Sequence, residues 1–140
     1  MAVNRTDRPR PLRVVIYALV IGTGQRPDAD WDTAEAEAAL RGYAIHARLH
    51  DVATPAQRRT DAPAGPVGRL CAYTPPGQRP GWSEVRRQIQ GGYAEGVVVV
   101  TRHDVSSDPA EYAAEIQHLG HQHQAFVHVV THEAQDDAPT

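Results

Sequence analysis

VVIYALVIGTGQ, residues Val14 to Gln25, is a run of apolar and mostly β-branched residues that stops at Gly22 and Gly24. A buried strand that delivers its C-terminal end to a loop reads this way. In an α/β protein such a loop is where ligands and reactive groups gather. This strand ends on Leu19, Val20 and Ile21, side chains that neither donate, accept nor attack. What the end of the strand does therefore has to be read from the rest of the chain.

A second run, GVVVVT from Gly96 to Thr101, is continuously apolar rather than alternating. That is the signature of a strand covered on both faces in a parallel sheet. Between the two runs, Asp30 or Asp32 caps a helix whose body is TAEAEAALR; Glu35 follows Asp32 as in a capping box, and Gly42 closes the C-terminus. A helix that starts there begins too far along the chain to aim its N-terminus at the glycine loop. A short strand follows at Tyr43 to Leu49. Pro80 opens a helix in which Trp82, Val85 and Ile89 form a buried stripe, so that Arg86 and Arg87 face solvent and Gly91 and Gly92 end it. Asp108, Pro109 and Glu111 supply an N-cap, an N1 proline and an N3 carboxylate for a helix through Leu119, with Gly120 as its stop. A last strand covers Ala125 to Thr131. Strands alternating with helices predict an α/β fold, a mostly parallel sheet of about four strands with helices on both faces and right-handed crossovers.

The 140 residues are about one domain's worth. Residues 1–12 are polar and proline-interrupted, an expected disordered arm carrying Arg5, Arg8 and Arg10; 13–131 form the domain and 132–140 a disordered tail. His50 to Gln78 holds five prolines and little periodicity, and is expected as a long loop, functional or mobile, pinned locally by Val67, Leu70, Cys71 and Tyr73. A net charge of −3 gives no electrostatic footprint for nucleic acid. All fourteen basic residues are arginines, which reads as a coding bias and weakens each one as a clue to phosphate binding. The single Cys71 excludes an internal disulfide, and no apolar run has the length of a signal peptide or membrane span, so a cytoplasmic chain without membrane contact is expected.

Three local patterns invite chemistry. Gly22-Thr23-Gly24 suggests a phosphate cradle, but Pro27 stands where a dinucleotide fingerprint needs its third glycine and no acid ends the second strand for a ribose, so no cofactor is expected. His118, His121, His123, His128 and His132 crowd the C-terminal part, yet their spacing spreads them over a helix end, a turn and a strand, and solvated or capping histidines are expected rather than a metal site. HDVSSD places Ser106 and Ser107 beside His103 and Asp104, but sequence neighbours rarely assemble a triad, and the serines read as loop and capping residues.

Taken in order, IYALVIGTGQ, a helix closed by RGYAI, a long loop, RPGWSEVRRQIQGG, the VVVV strand, HDVSSD and a final apolar strand resemble the catalytic domain of the serine recombinases, the resolvase and invertase family, over about residues 13–131. In that family the first strand ends Tyr-Ala-Arg-Val-Ser, and the serine attacks a DNA phosphodiester while arginines stabilise the phosphate. Tyr17 and Ala18 match, and Gln25 matches a glutamine of the next loop, but Leu19 holds the arginine position and Ile21 the serine position. The family's Asp-Arg-Leu-Ser-Arg is met by His103, Asp104, Val105, Ser106 and Ser107; allowing one deletion, Asp104 matches the aspartate and both arginines are still missing. Arg102 lies nearby on the other side of the loop. The family's long dimer helix and DNA-binding region have no expected counterpart in HEAQDDAPT after Thr131.

The resemblance therefore implies a domain without its nucleophile, expected to act as a non-enzymatic binding or regulatory module. Its surfaces would be the former cleft with Arg26 and Arg102 and the helix bearing Arg86 and Arg87. Its partner would be a protein, a second copy, or DNA held by another component. An enzyme of another class reusing the cleft, with His50 to Gln78 as a lid, and a structural relic of a mobile element are the alternatives.

Overall fold

The computed structural model describes residues 10–21, 26–53 and 74–131. The glycine loop with Gln25, most of the N-terminal arm, residues 54–73 with Cys71, and the tail with His132 lie outside them.

Four strands build one sheet: β1 (Arg13–Ile21), β2 (Ala44–Ala53), β3 (Gly96–Val99) and β4 (Phe126–Val129). Their spatial order is β2-β1-β3-β4 and every pairing is parallel. The helices are α1 (Asp28–Arg41), α2 (Pro80–Gln90) and α3 (Pro109–Gln117), and α3 runs on as a π-turn over His118–Gln122. Alternate residues of β1 feed two cores. Val15 and Tyr17 pack with Trp82, Val85, Ile89 and Leu119 on the α2 face, whereas Val14 and Ile16 pack with Ala34 and Ala38 of α1 on the other. Val14 through Ala18 are wholly buried, as a central strand between two helical layers requires, and each large side chain among them is worth roughly 1.5–3 kcal/mol of burial.

Several boundaries differ from the sequence reading, each for a local reason. Helix α1 starts at Asp28, not at Asp30 or Asp32, with Pro27 as the N-cap residue at φ −81° and ψ −2°. The pyrrolidine ring presets a helical φ, so the helix starts without the anticipated capping box, and Asp28 and Asp30 meet the positive end of its dipole. The helix therefore begins closer to the glycine loop than expected. Gly42 closes it in the left-handed conformation at φ 76°, as anticipated.

Strand β2 runs on to Ala53, because β1 pairs with it through Ile21; this takes His50 to Ala53 out of the expected loop. Strand β3 stops at Val99 because the amides of Val100 and Thr101 turn to the Asp104 carboxylate instead of a neighbouring strand. Strand β4 is likewise confined to Phe126–Val129. Gly120 does not stop the last helix but lies within the π-turn.

Candidate functional site

Several of the buried and half-buried polar groups lie at the C-terminal edge of the sheet, the open end at which parallel sheets gather them. The RPGW stretch organises half of it. Arg79 is buried and donates from Nε to the Thr74 carbonyl and from Nη1 to the Asp104 carbonyl, both at 2.8 Å. Pro80 occupies the first turn of α2, where its missing N–H costs nothing. The next two amides, of Gly81 and Trp82, donate to the Asp51 carboxylate at 2.8 and 2.9 Å. Asp51, at the end of β2, thus caps α2 from another element. Position 81 has no room for more than glycine: a Cβ there would lie 2.3 Å from the His50 carbonyl oxygen. Trp82 stands edge-on to Tyr17, with ring centroids 4.9 Å apart, and its indole N–H donates to the buried Glu115 at 2.8 Å.

Tyr17 donates its hydroxyl proton to Asp51 at 2.8 Å, and burial pushes its phenol above the ordinary value. A cavity of about 100 Å³ opens here, lined among others by Leu19, Asp51, Thr74, Gln78 and Arg79. One strand over, Asp104 joins β1 to the end of β3. Its Oδ1 accepts from the Leu19 amide at 3.0 Å and its Oδ2 from the amides of Val100 and Thr101 at 3.1 Å each. Burial nevertheless pushes its carboxyl up to about 6, since three amide dipoles do not fully replace water around the charge.

The residues singled out in the sequence fall into distinct places. Leu19 lines the cavity, with its amide held by Asp104; Ile21 is the last residue of β1, and Gln25 lies outside the described residues. Ser106, His103 and Asp104 do not form a triad: the Asp104 carboxylate is turned to the main chain and the Ser106 hydroxyl donates to Glu111 at 2.7 Å. His103 Nδ1 meets Ser107 Oγ instead, at 2.7 Å. Arg86 does not face solvent as expected: it grips Glu115 through Nε at 2.8 Å and Nη2 at 2.5 Å. That guanidinium holds the Glu115 carboxyl below its ordinary value against the opposing effect of burial. Arg87 is exposed and pairs with Glu84, Arg26 is exposed and pairs with Asp28 at 3.3 Å, and Arg102 reaches the Ser107 carbonyl at 3.5 Å.

The histidines scatter. His118 and His123 stand edge-to-face at 5.3 Å, and His128 meets Glu37 at 2.8 Å. Among the described residues no three metal-ligating side chains converge. Arg79 and Asp51 are residues to which sequence reading assigns no role, and Tyr17 enters it only as a match to the resembled strand motif. Parallel pairing that sets Tyr17 beside Leu49, two residues before Asp51 on the same face, was the one signal that linked Tyr17 to Asp51.

No protein-family model matches the chain, and no curated protein is significantly similar to it. Solved structures do match. The C-terminal catalytic domain of ISC1926 TnpA, an IS607-like serine recombinase, superposes with a TM-score of 0.61 at 22% identity, over 90% of this chain and 77% of that one. The N-terminal catalytic domain of TP901-1 integrase gives 0.61 at 14% identity, over 84% and 76%. The first ORF of transposon ISC1904 from Sulfolobus solfataricus gives 0.53 at 14% identity, over 90% and 71%. At these identities the likeness is one of architecture, and it extends over most of both chains. An all-parallel sheet in the order β2-β1-β3-β4, with helices on both faces, is thus the fold of a serine recombinase catalytic domain.

Proposed function

We propose that this chain is a degenerate serine-recombinase-like domain that does not carry out strand exchange and works as a binding or regulatory module in DNA recombination. The observation that supports this most is the chemistry available where β1 ends. The resemblance puts a nucleophile and its clamp arginine at Ile21 and Leu19, and neither side chain can attack or neutralise phosphate. Among the described residues, Arg13, Arg26, Arg41, Arg48, Arg86 and Arg87 pair with the chain's own carboxylates, and Arg79 is buried on two carbonyls. A phosphodiester reaction needs several fixed cations facing one phosphate, each worth several kcal/mol in the transition state.

Its partner, on this reading, is a protein, a second copy, or DNA held by another component, met through the rim of the former cleft. Purified protein should neither nick supercoiled DNA nor form a covalent DNA adduct, and an adduct at any hydroxyl overturns the reading. The double change Leu19→Arg with Ile21→Ser should leave cleavage absent, since the arginines expected after Asp104 are missing as well. Capture from native cells with and without nuclease then tests the recombination link. Nuclease-sensitive recovery of DNA, or co-purification of a complete recombinase, supports it; a nuclease-resistant partner unrelated to recombination refutes it.

A further inference from the structure

The segment joining β3 to α3 holds reactive side chains that the binding-module reading does not use. Ser107 Oγ and His103 Nδ1 lie 2.7 Å apart, the reach of a nucleophile and its base. Both residues are half-buried, so the imidazole is held while the hydroxyl stays reachable. The two sit on separately anchored turns. His103 belongs to a 3₁₀ turn, Arg102–Asp104, closed by a reciprocal cap between Thr101 and Asp104 and tied to β1 through the Asp104 to Leu19 bond. Ser107 immediately precedes Asp108, the N-cap of α3, whose side chain accepts from Ala110.

Three neighbours complete the setting. The Arg102 guanidinium touches the Ser107 carbonyl at 3.5 Å, and among the described residues no carboxylate pairs with it, unlike Arg86 with Glu115. Ser106 does not compete as a nucleophile: it is buried, donates to Glu111 Oε1 at 2.7 Å and accepts the Asp108 amide at 3.0 Å. Glu111, held in this way on the first turn of α3, is a carboxylate of the same cluster.

We propose that Ser107 is a histidine-activated nucleophile for acyl transfer from a carboxylic ester, with His103 as base and Arg102 facing the oxyanion. Ser107 Oγ attacks the ester carbonyl carbon, the new O–C bond forms, and the hydroxyl proton passes to His103 Nδ1. Collapse of the tetrahedral oxyanion breaks the ester C–O bond, and the imidazolium returns the proton to the departing alkoxide, leaving acyl-Ser107 and an alcohol. Water hydrolyses the acyl group by the same route in reverse. An ester fits better than a phosphodiester because one guanidinium suffices for a single oxyanion, and the other arginines named above are engaged. The proposal is independent of the binding-module reading, which rests on the end of β1, so either can fail alone.

The test uses the full chain with p-nitrophenyl acetate and a fluorophosphonate probe, read by intact mass and peptide mapping. An adduct on Ser107 is expected in the native chain and not in the urea-unfolded one. Ser107→Ala should abolish it, and His103→Gln should slow it about 100-fold. If Ser107→Ala does not fold, Ser107→Cys in a Cys71→Ser chain serves instead, and iodoacetamide should alkylate it faster with His103 than with His103→Gln. No adduct, an adduct on another residue, equal labelling of the unfolded chain, or indifference to His103→Gln overturns the proposal.

Discussion

Two clusters of polar side chains, one around α2 and one between β3 and α3, use their groups in opposite ways. Around α2, Asp51, Arg79, Glu115 and Arg86 each make two or more hydrogen bonds, with main-chain amides, carbonyls, a phenol, an indole N–H and a guanidinium or carboxylate as partners. Between β3 and α3, His103, Ser107 and Arg102 are half-buried and meet one another through side chains or a long contact. The first arrangement is costly to disturb, because removing one member leaves a buried charge or donor without a partner. The second is half-buried, so removing one of its side chains costs the fold less. Adjacent, similar-looking residues can differ as sharply: Arg86 holds the buried Glu115, whereas Arg87 is exposed and pairs with Glu84.

Substitutions can break that division. The largest expected loss is Trp82→Ala, about 4 kcal/mol in urea denaturation, because a wholly buried ring, its edge contact with Tyr17 and the donor to Glu115 all go. Next, Arg86→Ala should cost about 3 kcal/mol by stranding Glu115, whereas Arg87→Ala should cost under about 0.5 kcal/mol. Equal losses for the two arginines would mean that Glu115 is not the anchor described here. Gly81→Ala should cost about 2 kcal/mol, since the methyl group must displace the His50 carbonyl and the Asp51 carboxylate.

A pH series sharpens the contrast. The Asp104 carboxyl sits at about 6 in the folded chain against 3.8 as a free side chain. Between these values the folded state binds the proton more tightly than the unfolded state, so stability from this group falls as pH rises from about 4 to about 6 and is flat above. The full change is about 3 kcal/mol. The difference between the parent chain and Asp104→Asn in thermal or urea unfolding should follow that window, and a rising difference would place the carboxyl in a charge-stabilising site instead. The smallest effect is expected from Ser107→Ala, under about 0.5 kcal/mol, for a half-buried hydroxyl on a turn.

Much of the fold was legible because its signals are local. β1 and β3 announce themselves as unbroken β-branched runs, the stripe of Trp82, Val85 and Ile89 fixes the buried face of α2, and Asp108 with Pro109 fixes the start of α3. What was missed depends on partners far along the chain. Nothing near Arg86 tells that Glu115 waits on α3, and nothing near Val100 tells that its amide belongs to Asp104 rather than to the sheet. The sequence points to a later start for α1 because Asp30 and Asp32 look like caps, whereas Pro27 sets the backbone for a start at Asp28. The meeting of His103 and Ser107 depends on how a 3₁₀ turn and a helix start are oriented, and periodicity does not encode that.

Strand order has a consequence for how the chain assembles during synthesis. β1 is the first of the four strands to be made, yet it lies between β2 and β3. Once β2 is complete it can pair along the whole length of β1, while the opposite edge of β1 stays bare until β3 arrives. The Leu19 amide finds Asp104 only 85 residues later. A ribosome releasing roughly 5–20 residues per second would hold that edge open for several seconds. The sheet is completed on that side only when β3 pairs with β1 and Asp104 accepts the Leu19 amide, so the last contacts of the first strand are among the latest to form.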